Sequence, residues 1–335
     1  MDPVIYDLPP GPDRAPAVTT PLVYGPPLAT FLDLPQLDEE IADWRPYVAV
    51  CAQPWYGGAN VWRSAMLDGF ALVDQVARPA IFGTLAFGFY AGPTWRFDNG
   101  NELWVDLTSG TFASVTDDQL FAGENTLAIE TVAKRWEILQ FGTATLISPG
   151  RWRLAHLLRG QRGTEDAMGN PTAAGARVIV LDGAVTPVSI AKSDVGMPWN
   201  WRVGPASSPA ADGLNVAVAF TPTGRGLRPF SPTQLNRAAL GGGDQLLTWT
   251  RRTRDAAGDS WVLLEVPLGE ASEAYDLEVL NGAVVARTVL GLTAPSFTYT
   301  AAMQTTDFGG PVATVRFRVY QLGELGRGST GEALV

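Results

Sequence analysis

Residues 313–322 read Ala-Thr-Val-Arg-Phe-Arg-Val-Tyr-Gln-Leu, an alternation that puts Val315, Phe317 and Val319 on one side and Arg316 and Arg318 on the other. Period two is the spacing of a pleated strand with one buried and one wet face. The signature recurs upstream. Residues 245–252 carry an inward Trp249, residues 274–280 alternate strictly, and Asn281-Gly282 supplies a two-residue hairpin turn into residues 284–288. Residues 296–300 follow as a further short strand. Short strands at roughly 8–12-residue spacing define a β-sandwich.

The preceding residues are less regular but equally strand-like. Residues 47–52, 59–63, 82–90, 103–107, 177–181 and 214–220 read as strands, with Gly83 and Gly88 marking bends or a bulge. Residues 95–97 and 103–107, joined by Asp98-Asn99-Gly100-Asn101, are expected to form a hairpin. Residues 137–147 are expected as two short strands, and residues 161–168 as a turn or short helix. Arg153 and His156 fit neither period. Residues 221–232, rich in Pro, Gly and Arg, look like a linker. Residues 1–35 hold nine prolines, which remove ladder donors and favour extended backbone. Val4, Ile5, Tyr6, Leu22, Val23 and Tyr24 make that stretch too apolar for a free linker. The expectation is therefore all-β: an extended arm over 1–35, an irregular β-rich domain over 36–222, and a sandwich over 223–335.

Composition agrees. The 335 residues are 46% hydrophobic and 17% charged, enough apolar material for two or more cores and unlike a disordered chain. The formal charge of −10 opposes a phosphate backbone and argues against nucleic acid as a partner. No stretch reaches ~18 apolar residues, so no membrane span is expected. The first residues lack the basic and apolar regions of a secretory signal, which implies synthesis in the cytoplasm. Cys51 is the one cysteine and sits in an apolar run, the setting of a buried small hydrophobe.

Sites of chemistry are sparse. His156 is the one histidine, and its apolar neighbours suit a strand or core position better than a nucleophilic triad. No phosphate-binding glycine loop, metalloprotease helix motif or EF-hand loop occurs; Gly241-Gly242-Gly243 precedes a strand and reads as a loop. Asp38-Glu39-Glu40 and Asp117-Asp118 read as solvated acids rather than a facing glycosidase pair. Residues 98–102 could offer oxygens to Ca²⁺, but a plain turn is favoured. Neither a catalytic residue, a cofactor nor a metal is expected. Two groups remain as candidates. Leu157-Leu158-Arg159-Gly160-Gln161-Arg162-Gly163-Thr164-Glu165 reads as a structural corner: the leucines anchor it, Gly160 and Gly163 allow a chain reversal, and Arg159 and Arg162 pair with Glu165, Asp166 or carbonyls. Trp199 and Trp201, in a loop-like stretch, and Trp55 with Tyr56 are candidates for a glycan or a protein interface.

Two resemblances follow from these residues. Trp249, the Tyr275 strand, Phe297-Thr298-Tyr299 and a long strand ending in a Gly-Arg-Gly-Ser loop resemble a fibronectin type III domain over residues 229–335. Pro149-Gly150-Arg151-Trp152-Arg153-Leu154 and the corner, with Phe31-Leu32-Asp33-Leu34-Pro35 and residues 46–64, resemble the C-terminal part of the large baseplate hub ("megatron") protein of gene transfer agents and related siphophages. Such hubs carry a glycosidase-like TIM barrel upstream. A β-rich chain of this length has no room for eight βα units, so the barrel's activity does not transfer. The hub resemblance implies a non-enzymatic structural component of a virion tail tip, with other tail or baseplate proteins as partners. It also implies a homo-oligomer, a trimer by the symmetry of tail tips, and a second role at a host-surface glycan. A carbohydrate-binding adhesion protein using the tryptophans is the alternative, and a cell-wall hydrolase the more remote one.

Overall fold

Short apolar stretches between turn residues fold into twenty strands in this computed structural model, which describes residues 23–131, 135–254 and 266–335. Among the described residues the α-helices are two short ones, α1 (Asp117–Phe121) and α2 (Ala301–Phe308). The chain enters through β1 (Leu28–Leu32), β2 (Tyr47–Cys51), β3 (Ala59–Ser64) and β4 (Ala71–Val76). Six more strands follow: β5 (Phe82–Leu85), β6 (Leu103–Leu107), β7 (Thr126–Glu130), β8 (Trp136–Ser148), β9 (Arg151–Leu158) and β10 (Arg177–Val180). It then returns through β11 (Thr186–Pro187), β12 (Trp199–Pro205) and β13 (Val216–Phe220).

Strands β5 to β10 close on themselves in the order β10-β5-β6-β9-β8-β7, an antiparallel barrel without free edges. Its interior is packed with Leu103, Val105, Leu127, Ile129, Leu139, Phe141, Leu154, Leu157 and Val178. The remaining strands of this part form two sheets, β1-β2-β11 and β13-β12-β3-β4, sharing the core of Val48, Val50, Val61, Trp201 and Val203. The irregular domain expected from the sequence is therefore a seven-stranded sandwich into which a closed barrel is inserted between β4 and β11. Strand β2 is buried on both faces: Val48 and Val50 face the sandwich core, while Tyr47, Ala49 and Cys51 face a second core shared with Phe82, Trp136 and Ile138 of the barrel. That is why residues 47–51 are continuously apolar instead of alternating.

The last seven strands are β14 (Thr233–Ala239), β15 (Gln245–Thr250), β16 (Tyr275–Asn281), β17 (Val284–Leu292), β18 (Ser296–Tyr299), β19 (Arg316–Gly323) and β20 (Gly326–Leu334). They form sheets β14-β15-β18 and β17-β16-β19-β20 around Leu247, Trp249, Tyr275, Leu277, Phe317 and Val319. First, second and fifth strands make one sheet; fourth, third, sixth and seventh make the other. This is the fibronectin type III order. The first sandwich has the same order once the barrel is set aside: β1-β2-β11 against β4-β3-β12-β13. Two sandwiches of one topology thus flank a barrel.

Several local expectations change. Residues 95–97 do not pair with β6, because β5 and β9 occupy both of its edges in closing the barrel. Residues 137–147 lie in one thirteen-residue strand, β8, not two. Gly326-Arg327-Gly328-Ser329 is the start of β20 rather than a loop. Residues 28–32, inside the proline-rich stretch read as an extended arm, pair with this chain's own β2, and Phe31, Leu32 and Leu34 are buried. Residues 1–22 lie outside the described residues. The stretch 221–232 is packed, with Leu227 buried.

Candidate functional site

The corner after β9 is where the three modules meet. Arg159 directly follows β9, and its guanidinium is buried and faces two buried carboxylates. Its Nε and Nη2 donate to Glu137 Oε1 and Oε2 at 2.6 and 3.0 Å, a bidentate pair, and Nη1 donates to Asp98 Oδ2 at 3.3 Å and to the Tyr90 carbonyl at 3.0 Å. The Phe89 ring lies 4.0 Å from the guanidinium carbon. Arg159 thus pairs with Glu137 and Asp98 and not with Glu165 or Asp166. Burial acts to raise the Asp98 carboxyl, but hydrogen bonds from Asn101 and Gly100 and the Arg159 charge outweigh it and hold it below its ordinary value. The same bonds occupy both oxygens of the Asp98 carboxylate. Among the described residues no group of three or more His, Cys, Asp or Glu is placed to hold a metal.

Gly160 (φ 58°) and Gly163 (φ 74°) turn the chain through the left-handed region. Space forbids side chains there too. A Cβ on Gly163 would lie 2.3 Å from Phe230 Cδ1, and one on Gly160 2.8 Å from the Glu165 backbone. Arg162 donates to the Gln36 carbonyl at 2.9 Å. Glu165 accepts from Arg252 and from Ser231, both on the C-terminal side of the joint. The Gly163 carbonyl accepts from Arg225 Nη2 at 2.6 Å, and Arg225 also reaches Ser329 of β20 at 3.2 Å. Burial presses the Arg225 guanidinium below its ordinary range against the pull of Asp166. Arg254 joins Asp43 to Glu270, and Lys192 pairs with Glu324 at 2.6 Å. The corner is therefore a clasp that fixes the last sandwich to the barrel. Glu137, Asp98, Arg225, Phe230 and Arg252 were not anticipated in this role. Glu137 alone left a signal, a lone charge between Trp136 and Ile138-Leu139.

The aromatic candidates separate. Trp201 is not in a loop: it lies on β12, is wholly buried against Phe31, and donates Nε1 to the Phe220 carbonyl at 3.1 Å. It cannot meet a glycan. Trp199 is half-buried with the Arg63 guanidinium 4.4 Å from its ring. Trp55 stacks on Tyr56 at 5.8 Å, and Tyr56 packs edge-on to Tyr24 at 5.3 Å and donates to the Gly25 carbonyl. His156 is partly exposed at φ 58°, between Asn99 Oδ1 at 2.8 Å and Asp117 Oδ1 at 3.0 Å, and stacks on Phe97 at 3.9 Å. Cys51 is buried.

Against known proteins, residues 80–179 match the model of the family described as Rcc01698-like, C-terminal. The match starts just before β5 and ends within β10, so it covers the closed barrel. No curated protein matches the chain. Among solved structures, the FN1–FN3 domains of chicken CNTN1 align over 93% of this chain and 99% of their own, at 10% identity and a TM-score of 0.22. The strand orders above, rather than this alignment, define the fold.

Proposed function

We propose that this protein is a non-enzymatic structural component of the tail tip or baseplate of a gene-transfer-agent or phage particle. The observation that carries the reading is the match of residues 80–179 to the Rcc01698-like, C-terminal family, spanning the barrel at the centre of the molecule. The hub-like residues at 149–165 lie in that barrel and its clasp, and support the same reading. Three modules joined by partly buried arginine pairs suit a spacer that must keep its shape under load. Its partners are other tail proteins and further copies of itself, a trimer being what the hub resemblance implies, and its place is the virion tail tip. Host-surface recognition is a second role. Deleting the gene is expected to leave particles with defective or missing tail tips, and the purified chain is expected to co-sediment with tail proteins. A chain that stays monomeric, binds no tail protein and is dispensable for particle formation would refute the proposal.

A further inference from the structure

The face between the barrel and the last sandwich holds a cleft of about 1010 Å³ beside the clasp. Among the described residues five arginines line it, Arg96, Arg162, Arg251, Arg252 and Arg254, and no Asp or Glu does, in a chain whose net charge is −10. Three are tied down from behind: Arg251 by Glu273 at 3.1 Å, Arg252 by Glu165, and Arg254 by Glu270 at 2.7 Å and by Asp43. Arg96 and Arg162 have no carboxylate partner among the described residues. Trp95 and Phe121 border the same cleft and are 54% and 70% exposed. Arg252 lies 4.8 Å from the Trp95 ring centre, so the indole has a fixed cation beside it and still presents much of its surface to solvent. Phe97, also lining the cleft, is held by His156 at 3.9 Å.

The backbone is strained in the same place. Five described non-glycine residues sit at positive φ: Trp95, Asn125, His156, Arg162 and Gln234. Trp95, Arg162 and Gln234 line this cleft, and His156 backs Phe97. Such conformations are strained for a residue with a side chain and gather where a surface must be held ready for a ligand.

We infer that this cleft binds an acidic saccharide, the indole of Trp95 taking the apolar face of a pyranose and Arg96 and Arg162 taking carboxylates. This deepens the host-surface role proposed above and rests on it for its biological setting. Two cations with no carboxylate partner among the described residues suit a chain with a charge on one or two sugars. They do not suit a nucleic-acid strand, which needs a cation track for a phosphate at every nucleotide.

Calorimetry on the full chain tests this with tetragalacturonate, its neutral methyl ester, α2,8-linked trisialic acid and a dT octamer. At least one of the two acidic sugars is expected to bind, tenfold or more above the methyl ester and the octamer. Trp95→Ala and Arg96→Ala, both exposed substitutions, are each expected to weaken binding at least tenfold with the melting temperature unchanged, while Trp199→Ala leaves binding as it is. Binding of neither acidic sugar, equal binding of the methyl ester or the octamer, or indifference to both cleft substitutions overturns the inference. Because binding is read on the free chain, its outcome is separate from whether the chain is found in particles.

Discussion

Replacing Arg159 by Met removes the one cation from a buried pocket that contains two carboxylates. Glu137 loses both of its bonds, at 2.6 and 3.0 Å, while Asp98 loses one at 3.3 Å and keeps the N–H groups of Gly100 and Asn101. Methionine is long enough to fill much of the stem volume, so packing loss is the smaller term. The larger one is an uncompensated carboxylate at Glu137, which is 0% exposed; breaking a buried pair in this way costs about 3–5 kcal/mol. Urea denaturation of full-length wild type and variant, followed by tryptophan fluorescence and by circular dichroism, measures the difference. Adding Glu137→Leu to Arg159→Met is expected to recover part of the loss, because the stranded charge is gone. A cost under about 1 kcal/mol for Arg159→Met, or a double variant less stable than the single one, would refute the reasoning.

Three further outcomes follow from the same geometry. Gly163→Ala forces a methyl group against Phe230 at a left-handed position; the last sandwich is expected to undock, giving a separate, earlier melting transition and new protease cleavage within residues 221–232. One transition at the wild-type temperature would contradict this. Trp201→Ala empties a wholly buried site and is expected to cost about 3–5 kcal/mol, against less than half of that for the half-buried Trp199→Ala, by chemical denaturation. Asp98 is held below its unfolded value of about 3.9, so its contribution is present above that pH and is lost as pH falls through the lower folded value. Asp98→Asn should therefore flatten the acid limb of stability below about pH 4, and an unchanged limb would count against the pocket as drawn.

The last sandwich was legible because its strands alternate cleanly and one face of each is wet: Val315, Phe317 and Val319 are buried as period two requires, and Trp249 meets Tyr275 at 5.3 Å. The first sandwich was not legible as one, since its strands are split between residues 28–76 and 186–220 with the barrel's strands between them. Period and propensity carry no information about which distant strands share a sheet. Trp201 was misread because Gly196 and Pro198 gave its neighbourhood the look of a loop, while its own alternation with Val203 placed it inside. The apparent hairpin at 95–107 failed because Asp98 spends its side chain on the turn and on Arg159, and its backbone bridges to Leu157. The glycines of the corner could be read locally. The purpose of Gly163 could not, because Phe230, which requires it, lies 67 residues further along the chain.

Cryo-electron microscopy of purified particles, with antibody labelling of this chain, tests the central proposal most directly. Label is expected at the tail tip and, there, density for a closed six-stranded barrel docked between two seven-stranded sandwiches. Label on the head, or complete particles that lack the chain, would contradict it.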